Sequence, residues 1–194
     1  MPPPVALAQV RELVASAYAA HLARRAADFG VTIEGAVAVD MTSVKAPKDA
    51  VSFKARTGVE AWLKGMDRCT VYEGHARFQS AREVSAGDER LTAERIFIHA
   101  GGRALVPDMP GVDRVDYLIN TLILDQETLP RHVVIVGGSY VGLEFAQMYR
   151  RLGSEVTIVE KGPRLIQRED EDVSVAGEDI LKCEGIARPS GHGM

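Results

Sequence analysis

The stretch that most constrains this chain is residues 133–160, VVIVGGSYVGLEFAQMYRRLGSEVTIVE. Four apolar residues, 133–136, run into Gly137 and Gly138, and a helical apolar spacing then holds from about 141 to 152. Gly153 breaks that helix, and a second apolar run covers 155–159. Strand, glycine turn, helix and strand at this spacing make a βαβ unit, whose right-handed crossover sets the two strands parallel. This part of the chain is therefore predicted to be α/β and Rossmann-like. A strand that enters a helix through glycines leaves unpaired N–H groups at the positive end of the helix dipole, where a pyrophosphate fits.

Against the pattern G-x-G-x-x-G, Gly137 permits the tight turn and Gly142 permits close packing of helix on strand. The middle glycine is replaced by Ser139, preceded by an extra glycine, Gly138. The Ser139 Cβ can crowd a pyrophosphate, or its hydroxyl can donate to one, and the sequence leaves both open. Glu160 ends the second strand 23 residues after Gly137. A carboxylate there accepts from adenosine ribose hydroxyls and repels a 2′-phosphate, which favours NAD(H) over NADP(H). Lys161 and Arg164 lie close enough to soften that preference. A glycine turn in a nucleotide-free α/β domain is the alternative.

The remaining composition narrows the classes. With 194 residues the chain supports one ordinary domain or two small or incomplete ones. Hydrophobic residues make up 46% and charged residues 26%, a globular, soluble balance. A net charge of -4 argues against nucleic acid or anionic lipid as the main partner. No apolar run approaches the roughly 18 residues of a membrane span. The start, MPPPVALAQVRELV, lacks the basic flank and apolar core of a secretory signal, so a cytoplasmic setting is expected. Cys69 and Cys183 stand 114 residues apart and read as isolated reduced thiols. The five histidines are scattered, and no metal site is expected.

Elsewhere the pattern predicts a helix over 5–29 stopped by Gly30, and a short strand over 31–33. A second helix is expected from an Asp40 N-cap to about Lys64, with a kink or late start at Pro47. TVYEGHARFQS and REVSAG read as strands, and RIFIHAGG as a buried strand ending in glycines. The Pro/Gly-rich LVPDMPGVD is the candidate domain boundary, and a last helix is expected over about 172–184.

With IFIHAGGRALVPDMPG and VVIVGGSYVGLEFAQMYRRLGSEVTIVEKGPRLIQREDEDV both in view, the chain resembles the FAD-dependent pyridine nucleotide–disulfide oxidoreductases. That family includes the dihydrolipoamide dehydrogenases, mercuric reductases and glutathione reductases. The resemblance covers about residues 13–184. It implies electron transfer from NAD(P)H to flavin and on to an acceptor through a cysteine pair. It assigns Gly137, Gly138, Ser139, Val141 and Gly142 to the NAD pyrophosphate turn, and Glu160 to the adenosine ribose. Glu144 resembles the glutamate beside the nicotinamide amide, and Tyr140 an aromatic gate over the nicotinamide pocket. Their alternatives are a surface carboxylate and an aromatic packed on the domain face. EGHARF resembles the segment that meets the FAD adenine, implicating Gly74, His75 and Ala76. HAGG resembles a second flavin-contacting turn, with Ala100 replacing a hydroxyl and Gly101 retained.

The resemblance also has limits. No counterpart of the first FAD phosphate loop, the C-x-x-x-x-C redox motif or the C-terminal His–Glu pair is recognisable, so the chain reads as the middle of such a protein, truncated at both ends. No catalytic residue is assigned, and the family's tight grip on FAD lacks its first phosphate loop. The expected organisation is a partial FAD-binding domain over 1–110, an incomplete NAD-binding Rossmann-like domain over 111–186, and a disordered tail over 187–194. The expected function is an NAD(P)H-linked, FAD-dependent oxidoreductase. The alternative is a non-catalytic remnant that binds NAD(H), or only protein partners. A homo-oligomer or a complementing chain is a further expectation.

Overall fold

A computed structural model of the chain describes residues 4–189. Helix α1, Pro4–Arg24, ends five residues short of the expected end at 29 and is followed by a 3-10 turn, Ala26–Phe29. Gly30 closes that turn at φ 75, a left-handed value that favours glycine. Helix α2, Met41–Lys64, begins where expected, because the Asp40 carboxylate accepts the N–H of Thr42 at 3.1 Å. The helix runs through Pro47 without interruption, so the late start does not occur. Residues 31–33, expected as a strand, are irregular, with Val31 and Ile33 about half exposed.

Strands β1 (Ala76–Ser80), β2 (Glu83–Ala86) and β3 (Glu89–Thr92) form an antiparallel meander. Two-residue turns join them, and Phe78 faces Val84 while Val84 faces Leu91. The expected buried strand in RIFIHAGG does not form. Phe97 is 89% and Ile98 73% exposed, and neither sheet extends to this segment. A strand needs a hydrogen-bonding neighbour for its backbone, and apolar side chains alone do not provide one.

The βαβ unit forms as the sequence predicts. Strands β4 (His132–Val136) and β5 (Glu155–Val159) are parallel and in register, Val133 opposite Val156 and Ile135 opposite Ile158. Helix α3, Tyr140–Leu152, covers one face with Phe145, Met148, Tyr149 and Leu152, all buried. Helix α4, Glu171–Cys183, follows, placing Leu181 in the same core. The tail expected to be disordered from 187 begins inside the sheet. Ala187 accepts the N–H of Ile158 at 2.8 Å and donates to the carbonyl of Val156 at 3.0 Å, pairing parallel with Thr157. Backbone pairing with β5, which no side-chain period announces, fixes it there. Residues 190–194 lie outside the described residues.

One core joins α1, α2, α3, β5 and α4, and the β1–β3 meander contributes nothing to it. Leu13 and Ala17 of α1 and Met41 of α2 join the α3 and β5 residues in one cluster. Polar ties reinforce the junction. Arg24 of α1 donates from Nη1 to the carbonyl of Arg151, and from Nη2 to that of Leu152 at 2.7 Å, satisfying the open carbonyls at the end of α3. Lys48, 3% exposed, reaches Asp125 at 2.6 Å and holds α2 to the segment ahead of β4. The other face of the β4–β5 sheet is open, with Val134 57% and Val136 49% exposed. No described helix is long and apolar enough to cross a membrane.

Candidate functional site: the glycine turn and its strap

The turn between β4 and α3 is built by close backbone approach. Gly137 donates to the carbonyl of Val159 at 2.9 Å, extending the β4–β5 ladder by one residue, then turns at φ 113. A Cβ at Gly142 would lie 2.2 Å from the Gly137 carbonyl oxygen and 3.5 Å from Ile135. Only glycine lets α3 start this close to the end of β4. Ser139 takes the N-cap position with φ -95 and ψ 177, and its hydroxyl makes no capping bond. The first N–H groups of α3 therefore stay available at the positive end of its dipole.

Glu160 closes the other side of the turn. Its Oε2 accepts the N–H of Gly138 at 2.6 Å, and its Oε1 accepts that of Gly162 at 2.7 Å. The extra glycine at 138 has a reason in this contact, since a Cβ there would stand 2.4 Å from Leu165 Cδ2 and 3.1 Å from Glu160 Oε2. A side chain at 138 would force both Leu165 and the carboxylate away from the backbone.

Residues 161–170 form a strap against the turn, which the sequence reading did not foresee. Ile166, at φ 40, donates its N–H to the carbonyl of Gly138 at 2.8 Å. Arg164 Nη2 donates to the carbonyls of Gln167 and Glu169 at 3.1 and 3.0 Å. These bonds spend Arg164, one of the two cations set against the NAD(H) preference, on the strap's own backbone. The Tyr140 hydroxyl donates to the Glu169 carboxylate, a bond that raises the phenol above its ordinary pKa. Only the turn-forming pair Gly162–Pro163 and the polar residues after it hint at the strap in the sequence.

The other nominated residues divide clearly. Val141 follows Tyr140 at the start of α3, both about half exposed. Glu144 lies further along α3, exposed, and lines a cavity of about 220 Å3 between α1 and α3 with Val14, Ala17 and Met148. Gly74, His75 and Ala76 lie exposed at the start of β1, where a Cβ on Gly74 would meet the Gly87 nitrogen at 2.8 Å. That close approach is explained by the meander's own turn. Ala100 and Gly101 are exposed in the irregular segment, and a Cβ on Gly101 would meet nothing within 4 Å. All five lie exposed, on two separate stretches of the chain, 74–76 and 100–101. The glycine turn, by contrast, fits a dinucleotide: close packing that requires glycine at 142, open helix N–H groups for a diphosphate, and a fixed carboxylate for a ribose hydroxyl. Among the described residues no cluster of three or more His, Cys, Asp or Glu is placed to hold a metal.

The sequence profile of the pyridine nucleotide-disulphide oxidoreductases matches residues 11–192. The chain belongs to that FAD-dependent family. It is 34% identical over 177 residues to the dihydrolipoyl dehydrogenase of Acholeplasma laidlawii, covering 88% of this chain and 52% of that protein. It is 33% identical over 181 residues to the mercuric reductase of Streptomyces lividans, covering 91% of this chain and 38% of the relative. Among solved structures, the HOCl-induced flavoprotein disulfide reductase RclA from Escherichia coli superposes with a TM-score of 0.78 at 27% identity. That match takes in 95% of this chain and 39% of RclA. The chain thus spans about half, or less, of the length of these relatives.

Proposed function

We propose that this chain binds NAD(H) at the 137–142 turn and serves as the pyridine-nucleotide-binding portion of an NAD(P)H-linked oxidoreductase. The observation that carries the reading is the 2.2 Å approach between the Gly137 carbonyl and a Cβ at Gly142, which requires glycine where the helix leaves the strand. NADH, when bound, supplies a hydride for reduction of an acceptor. The turn's backbone N–H groups and the dipole of α3 bind the pyrophosphate charge. Glu160 accepts from the adenosine ribose and disfavours a 2′-phosphate, so NAD(H) is preferred. Tyr140, at the first helical position, covers the nicotinamide side, and Glu144 orients the nicotinamide amide from the α1-facing side of α3.

A second reading, nucleotide binding without a flavin of its own, is favoured by the exposure of Phe97, Ala100 and Gly101 in the segment expected to touch FAD. An absorbance spectrum of the purified chain and an NADH fluorescence titration separate the two. Flavin bands together with NADH binding support the oxidoreductase portion. A colourless protein that binds NADH supports the second reading. A protein that binds no nucleotide refutes both.

A further inference from the structure

The turn's carboxylate is held on both oxygens, and one of its holders is a side chain with no role in the reading above. Gln167 Nε2 donates to Glu160 Oε1 at 3.3 Å, beside the Gly162 N–H bound to the same oxygen at 2.7 Å. Gly162 makes room for it. A Cβ at 162 would fall 1.4 Å from Gln167 Nε2 and 2.4 Å from its Cδ. Gly162 is not among the glycines with positive φ, so what demands glycine there is space for the Gln167 amide. The amide is also delivered to this spot by its backbone. Ile166 just before it is pinned by its N–H to the Gly138 carbonyl at 2.8 Å, in a left-handed conformation costly for a β-branched residue. Arg164 grips the Gln167 carbonyl at 3.1 Å.

We propose that Gln167 is a positioning residue for nucleotide choice: seated over Gly162, it fixes the Glu160 carboxylate toward the glycine turn and so maintains the preference for a free 2′-hydroxyl. The inference rests on the NAD(H) reading of the turn. A carboxylate free to rotate about its side-chain bonds can turn away from a 2′-phosphate. One held by Gly138, Gly162 and Gln167 keeps its charge in place. The neutral amide adds no cation with which a phosphate could pair.

The test is a comparison of NADH and NADPH dissociation constants, by fluorescence, for wild type, Gln167→Ala, Gly162→Ala and Glu160→Ala. Gly162→Ala removes the same contact from the other side, because the flexible amide is the group that must yield. Each of the first two variants is expected to narrow the NADPH-to-NADH ratio by about threefold to tenfold, the scale of one part-exposed charge-assisted hydrogen bond. A variant carrying both Gln167→Ala and Gly162→Ala is expected to go no further than either alone. A merely structural role would weaken both nucleotides alike and leave the ratio unmoved, and that result overturns the proposal. An unchanged ratio in Gln167→Ala together with a collapsed ratio in Glu160→Ala also overturns it while leaving the NAD(H) reading intact. Wild type that binds neither nucleotide removes the reading and this proposal together. Should Gly162→Ala fail to fold, the Gln167→Ala ratio decides alone.

Discussion

Glu160 and Gly138 are joined by a 2.6 Å hydrogen bond from the Gly138 N–H to Oε2, so the residue that follows β5 is tied to the turn that follows β4. That bond explains the extra glycine of GGSYVG, and it places a fixed negative charge beside the open N–H groups of α3. The shape of the turn and the position of the carboxylate that faces a ribose are thus fixed together.

Gly142→Ala tests the shape. The added Cβ lies 2.2 Å from the Gly137 carbonyl, backbone that does not yield as a side-chain tip would. We expect a loss of about 1–3 kcal/mol in urea unfolding, the usual cost of overpacking. Retained α3 helicity by circular dichroism with a weakened NADH complex is the expected signature. Wild-type stability in this variant would show that the turn opens freely.

The α1–α3 junction predicts a second effect. Arg24→Ala removes two hydrogen bonds to the final carbonyls of α3, and we expect a stability loss of about 1–2 kcal/mol. Arg24→Lys should recover part of it, since one ammonium can reach a carbonyl but lacks the guanidinium fork. Equal losses in the two variants would locate the effect in packing instead.

Much of this was legible in advance, and the boundary has a physical meaning. The βαβ unit was readable because its apolar periods, glycines and closing glutamate are all local signals. The Asp40 cap was readable for the same reason. RIFIHAGG misled because its apolar residues resemble a strand, whereas strand formation depends on a neighbour elsewhere in the chain. Ala187 misled in the opposite sense, a featureless residue held by β5. Beyond the Gly162–Pro163 turn signal the strap left no trace, because Ile166 at φ 40 and Arg164 folding back on carbonyls carry no sequence period.

Glu184 supplies a pH prediction. Burial works to raise its pKa, but hydrogen bonding and charge from Arg151, with help from Gln147, outweigh it and bring the pKa below the ordinary 4.5. A depressed folded pKa means stability that is present above the unfolded value and is lost as pH falls through the folded one. Wild type should therefore lose its advantage over Glu184→Gln progressively below about pH 4.5 in urea unfolding. A difference between the two that is constant from pH 7 to about 3 would contradict this.

Tyr149 gives the alkaline counterpart. Burial pushes its phenol up to about 12 from 10.0, and its hydroxyl donates to the Ile123 carbonyl at 2.8 Å. The folded state then holds the proton longer than the unfolded chain, so stability falls as pH rises between about 10 and 12. Tyr149→Phe should flatten that decline while costing about 1 kcal/mol at neutral pH, the size of one lost hydrogen bond. An equally steep alkaline decline in Tyr149→Phe would exclude this tyrosine as its source.

The most direct test of the central claim is residue-resolved: amide chemical shifts of the labelled chain recorded while NADH is added. The account predicts saturable shifts at Gly138, Ser139, Gly142 and Gly162, with Gly74 and Gly101 unmoved. Saturable shifts confined to other regions, or none in the 137–142 turn, would contradict it.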